Sequence, residues 1–150
     1  MQLIVELLQS DEYVKLMEQM QRTRLFTTGK DIEGTELKTF AARGSDVYSE
    51  RTIDIKTAKG QPTDKVTGLD SGQMYASIRA NVTKLFIDIT AGIHFDEFSE
   101  NIISNSDLIL GLTVQNQIQL IAMLNRDLPD KILDTITEEH LVDTNQLNCV

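Results

Sequence analysis

The residues of this chain that could do chemistry are few and thinly spread. Asp70-Ser71-Gly72 sets a carboxylate beside a hydroxyl, and a nucleophilic serine needs a base to take its proton. The two histidines, His94 and His140, are the available partners, yet neither stands in a local pattern that activates Ser71. A small hydrolase using Ser71 is therefore a weak reading. Leu69-Asp70-Ser71 fits a helix N-cap better, because a side-chain oxygen there satisfies free backbone donors. Asp31, Glu33 and Glu36 supply oxygen ligands but lack the spacing of an EF-hand loop. His94 with Asp96 is too sparse for zinc, which takes about three or four ligands. Asn81-Val82-Thr83 matches a glycosylation sequon, but inside a strand the match is expected by chance. The expectation is no catalytic centre, no metal site and no cofactor.

The elements that would have to position such residues can be traced by periodicity. Residues 3–8 are too short a run to classify. Ser10-Asp11-Glu12 is a good helix start, with Ser10 able to cap and the acids favouring the positive helix end. Val14, Met17, Met20 and Leu25 then give one apolar stripe, most simply a core face, leaving Lys15, Glu18, Gln19 and Arg22 to water or a partner. Gly29 and Gly34 flank Asp31, a composition for a tight reversal. A second, weakly apolar helix is expected over about 45–59, ended by Pro62. Its Tyr48, Thr52, Ile55 and Lys59 share one face by the three-and-four rule. That face, with Lys56 beside it, is either an ordinary half-solvated surface or a contact surface.

From Ala76 to Thr90 the pattern changes to period two. Ile78, Ala80 and Val82 alternate with polar residues, and Leu85, Ile87 and Ile89 follow Thr83-Lys84, which predicts a β-hairpin or meander. Residues 94–98 are expected as a loop. Thr113 can cap a helix carrying Val114, Ile118, Ile121 and Leu124 or Asn125, widened by Leu120 and Met123. Around Pro129 a separate helix is expected to restart, with Ile132, Leu133 and Ile136 on its buried side. The tail from about 138 has little to bury and is expected to fray or dock on a neighbour. The sum is an α+β chain: a small antiparallel sheet, about residues 76–90, packed with N- and C-terminal helices.

Composition bounds the partners. At 150 residues the chain fits a single domain, 1–150, able to bury a core without a staple. Its one cysteine, Cys149, precludes an internal disulfide. No apolar run approaches the roughly 18–20 residues of a membrane helix, and the start lacks a signal-peptide pattern, so a soluble protein made in a cytoplasm is expected. The net charge is −9, and most of it lies in the second half, where four basic residues face eleven acidic ones. Nucleic-acid binding needs clustered basic surface. The candidates Arg22, Arg24, Lys30, Lys38, Arg43, Lys56, Lys59 and Lys65 are interleaved with acids, so at most passing, non-specific DNA contact is expected.

Three ordered segments resemble a known family. These are Leu25-Phe26-Thr27-Thr28-Gly29-Lys30-Asp31-Ile32-Glu33-Gly34-Thr35-Glu36-Leu37; a polar helix beginning near Tyr48 with a Lys56-x-x-Lys59-Gly60 exit; and Val66-Thr67-Gly68-Leu69-Asp70-Ser71-Gly72-Gln73-Met74-Tyr75. They resemble the tail completion, virion morphogenesis or minor tail proteins of tailed bacteriophages, over about residues 25–89. Gly68 is a departure, since the family more often has no glycine there. The resemblance implies a non-enzymatic virion protein at the head-to-tail junction or upper tail, made in the bacterial host cytoplasm. It would assemble with itself in a ring around the DNA channel, of about twelve or about six copies, against portal, connector and tail proteins. It also implies structural turns at Gly29, Asp31, Gly34, Asp70, Ser71, Gly72 and Tyr75, with Tyr48, Thr52, Ile55, Lys56 and Lys59 as the contact residues. The alternative is a cytoplasmic assembly factor or binding module outside the particle.

Overall fold

Asp11 and Glu12 open a helix that becomes the spine of the molecule. A computed structural model describes residues 2–39, 48–100, 102 and 106–147. Helix α1 (Gln2–Leu8) settles the unclassified first run and leads into α2 (Asp11–Thr28). Ser10 takes the extended N-cap backbone conformation, yet its side chain makes no cap hydrogen bond. The chain continues through α3 (Glu50–Ala58), α4 (Gln73–Ser77), β1 (Arg79–Val82), β2 (Ile87–Thr90), α5 (Ile93–Glu100), a 3-10 turn (Ser106–Leu108) and α6 (Val114–Leu147). The fold is α+β, as the periodicities imply.

The hairpin is antiparallel, with Ala80 opposite Ile89 and Val82 opposite Ile87. Val82 and Ile89 point inward. Leu85, expected to open the second strand, instead lies on the turn and is 90% exposed, because Thr83 closes the reversal by accepting from and donating to Phe86 backbone groups. Residues 94–98 form part of α5, not a loop.

Two apolar clusters meet along α2. Tyr13, Met17 and Met20 pack with Val82 and Leu120. One turn further on, Leu25 belongs to a second cluster with Leu37, Tyr48, Val66, Met74, Ile78, Ile89, Ile102 and Ile109. The methionine stripe is therefore core. The apolar face of α2 also takes in polar side chains, since Gln21 and Arg24, which lie within the stripe, and Glu18 at its edge are buried. Gln21 Nε2 donates to the Ile109 carbonyl at 2.9 Å, and its Oε1 accepts from Gly111 N–H at 3.1 Å. Arg24 donates to the carbonyls of Ile109 and Lys30. Arg22, paired with Glu18, donates to the carbonyls of Tyr75 and Ile78. These side chains supply irregular loops with the backbone partners that a sheet would otherwise provide.

Helix α6 runs unbroken past Pro129 for 34 residues, about 51 Å. No second helix restarts at Pro129; the stretch expected to fray continues as helix to Leu147. Leu120, Met123 and Leu124 hold its first half against α1 and α2, and Tyr13 Oη donates to Asp127 at 2.8 Å. Ile132, Leu133 and Ile136, expected to be buried, are exposed. Among the described residues no helix is long and apolar enough to cross a membrane.

Candidate functional site

The second and third segments that carry the resemblance meet at one residue, Thr67, which is fully buried, and the first reaches its neighbour Val66. Its N–H donates to Tyr48 Oη at 3.2 Å, and its carbonyl accepts from Tyr75 Oη at 2.6 Å. The threonine hydroxyl in turn accepts from Leu69 N–H. One residue is thus gripped on both sides by tyrosines 27 positions apart in sequence, Tyr48 and Tyr75. Neighbouring Val66 touches the first segment: a side chain at Gly29 would meet the Val66 carbonyl at 2.9 Å.

Gly29, Gly34 and Gly72 all take positive φ, but the N-cap expected at Leu69-Asp70-Ser71 falls instead on Gly72, without a side-chain cap hydrogen bond. Gly29 ends α2 in the left-handed conformation, φ 61°, with its N–H on the Leu25 carbonyl, as a helix terminus of this type requires. Asp31 accepts from Glu33 and Thr35 N–H at 2.9 and 2.8 Å, and Gly34 has φ 89°. Asp31 is buried and its carboxylate serves the turn. Among the described residues no group of acids, histidines or cysteines is placed to hold a metal. Gly72, φ 84°, is the N-cap of α4, and Ser71 Oγ accepts from Gln73 N–H. Ser71 Oγ also bonds Gln73 Oε1 at 3.2 Å, while His94 Nδ1 faces Glu97 at 3.7 Å. No hydrogen bond among the described residues joins Ser71 to His94.

The contact face drawn from the α3 periodicity divides in two. Tyr48 and Lys56 are buried. Lys56 Nζ lies 4.9 Å from the Tyr48 ring centroid and donates to the Leu69 carbonyl at 2.8 Å and to Gln61 Oε1. Burial draws the Lys56 ammonium below its ordinary pKa. These two side chains fix α3 to the 66–72 loop. Thr52 is half-buried and hydrogen-bonded to Ser49, the helix N-cap. Ile55 and Lys59 are exposed, and Lys59 pairs with Asp70. Between α3, the loop and α5 lies a cleft of about 440 Å³, lined by Ile55, Lys56, Asp70, Met74, His94 and Phe98 among others.

No family model, curated protein or solved structure matches the chain. Function therefore rests on geometry and on the motifs. The basic residues weighed for DNA contact are mostly spent internally: Arg22, Arg24 and Lys56 on backbone carbonyls, Lys59 on Asp70, and Lys65 on the Thr27 carbonyl. Arg43 lies outside the described residues, as does the 45–47 part of the expected second helix. Sequence reasoning missed Thr67, Gln21 and Arg24. A polar residue between Val66 and Gly68 was the single local signal for the first; for the others it was their place within the apolar stripe of α2, although the partner they share, the Ile109 carbonyl, lies more than 80 positions away.

All three tyrosines of the chain resist ionisation. Burial, then the hydrogen bond to Asp127, pushes Tyr13 up to about 12. Burial raises Tyr48 and Tyr75, the latter also through the neighbouring Tyr48 hydroxyl. Folded values above the unfolded value of about 10 mean that the contribution is complete below about pH 10 and is lost as pH rises through the folded values. The native protein should show almost no tyrosinate absorbance where the chain in denaturant is half-titrated. Tyrosinate should appear together with loss of helix signal. Ordinary titration of even one tyrosine in the intact fold would contradict the burial described.

Proposed function

We propose that this chain is a non-enzymatic virion structural protein of a tailed phage, at the head-to-tail connector or the upper tail. The observation that carries the reading is the grip on Thr67. Segments that resemble the family in sequence order also form one packed unit in space, which supports a resemblance of folded parts over a chance run of letters. The mechanism is geometric: many copies close into a ring around the DNA channel through head-to-tail contacts, of which about twelve or about six would complete a turn. Portal-side and tail-side proteins then dock on opposite faces. Internal commitment of the basic side chains supports DNA contact that is at most non-specific. The reading remains an analogy carried by motif and fold.

Quantitative peptide mass spectrometry of gradient-purified virions tests it. A fixed copy number near about twelve or about six per particle is the expected result. Abundance in the infected-cell lysate with absence from particles would replace the virion reading with an assembly factor that acts before the particle is complete.

A further inference from the structure

Helix α6 carries a second apolar stripe that the other described residues leave uncovered. Leu120, Met123 and Leu124 face the core. Turned about a third of the way round the helix, Val114, Ile118, Ile121, Asn125, Leu128, Ile132 and Ile136 recur at three- and four-residue spacing, one continuous face about 33 Å long. Val114 is 71% exposed and Ile121 57%. Every charged residue between positions 114 and 136, namely Arg126, Asp127, Asp130, Lys131 and Asp134, falls on the opposite half of the helix. Beyond Leu124 no described residue of α6 joins either core cluster. A helix extended so far without packing is marginal in water.

Three observations say what covers the stripe. Its spacing is close to a palindrome about Asn125: Val114 and Ile136 lie at equal distances on either side, as do Ile118 and Ile132, with Ile121 and Leu128 nearly so. A two-fold contact requires such self-complementarity, because residue i must meet j while j meets i. The stripe is uncharged in a chain of net charge −9, so it is a surface on which a second acidic copy can approach without facing its own charge. At its centre stands the one polar residue, Asn125, whose carbonyl cannot receive the usual helical bond because Pro129 has no N–H. An asparagine at one position of an apolar helix seam fixes register by pairing with its counterpart.

We propose that the α6 stripe is covered by the same stripe of a second copy of this chain, antiparallel and centred on Asn125. The two Asn125 side chains bond across the two-fold axis, each in reach of the other's free carbonyl. Val114 packs against Ile136 of the second copy, and Ile118 against Ile132. The pairing goes beyond the virion reading and does not rest on it, because it concerns the full-length protein in solution.

Sedimentation of the purified full chain over a range of concentrations should show a monomer–dimer equilibrium. Ile118→Asp with Ile132→Asp should weaken it about tenfold or more while the cooperative unfolding of the core is retained, since both residues lie outside the two core clusters. With Cys149→Ser removing the native thiol, Asn125→Cys alone should form a disulfide-linked dimer under mild oxidation. Val114→Cys should cross-link only when mixed with Ile136→Cys. A monomer at every concentration would overturn the proposal. So would efficient cross-linking of Val114→Cys to itself, the mark of a parallel pair.

Discussion

Gly68→Ala should destabilise the fold by about 2–5 kcal/mol, roughly twice the effect of Gly72→Ala. Both glycines have positive φ, 69° and 84°, and an alanine pays about 1–2 kcal/mol for that conformation. They differ in what surrounds them. A side chain at Gly72 meets open space, whereas at Gly68 it would lie 2.6 Å from the Phe98 ring. That ring packs against the larger core cluster, so displacing it adds an overpacking cost of about 1–3 kcal/mol. Denaturant unfolding of both variants checks the difference. Phe98→Ala in the Gly68→Ala background should recover the overpacking part and leave the backbone part, a coupling that a double-mutant cycle isolates. Equal losses at the two glycines would show that the Phe98 ring yields freely. The contact also accounts for the glycine at 68: α5 lies against the loop closely enough to exclude a side chain.

Arg24→Met should cost roughly 3 kcal/mol although the replacement is apolar and of similar length. The guanidinium donates to the carbonyls of Ile109 and Lys30, and hydrogen bonds from charged groups contribute about 1.5–3 kcal/mol each. Methionine would leave the Lys30 carbonyl without that donor, and the Ile109 carbonyl would keep only Gln21. Burial already draws Arg24 down to about 10, against which the nearby Asp31 charge works. Arg24→Lys should recover little, because an ammonium cannot span two carbonyls as a planar fork does. Thermal and denaturant unfolding measure both, and a loss below about 1 kcal/mol for Arg24→Met would mean that solvent replaces the guanidinium at these carbonyls.

Features whose cause lies within a few residues were legible before any fold was known. Gly29, Gly34 and Gly72 mark left-handed positions, and Asp31 bonds backbone groups two and four residues on. Alternation placed the hairpin and three-and-four spacing placed α2, whereas α3 begins only at Glu50, so Tyr48, counted on its face, precedes the helix. The α6 prediction failed at Pro129 because a proline following a leucine and an aspartate reads locally as a helix start, while the observed helix carries it in its interior.

The sequence by itself determined the kinds of element, the sites of reversal and the apolar faces each helix could offer, because backbone preference and side-chain period are short-range properties. Only the tertiary structure decided which faces are used. Tyr48 and Lys56 turned inward because the 66–72 loop, a separate segment, brings Thr67 and Leu69 to them. Gln21 and Arg24, which sit within the apolar stripe of α2, are satisfied there because the Ile109 carbonyl crosses that face. Of the two apolar stripes on α6, the one bearing Leu120 is closed by α1 and α2, and the one bearing Ile118 and Ile132 stays open. Periodicity gives each face its chemistry, but what covers it depends on chain segments far away in sequence, whose arrival no local pattern encodes.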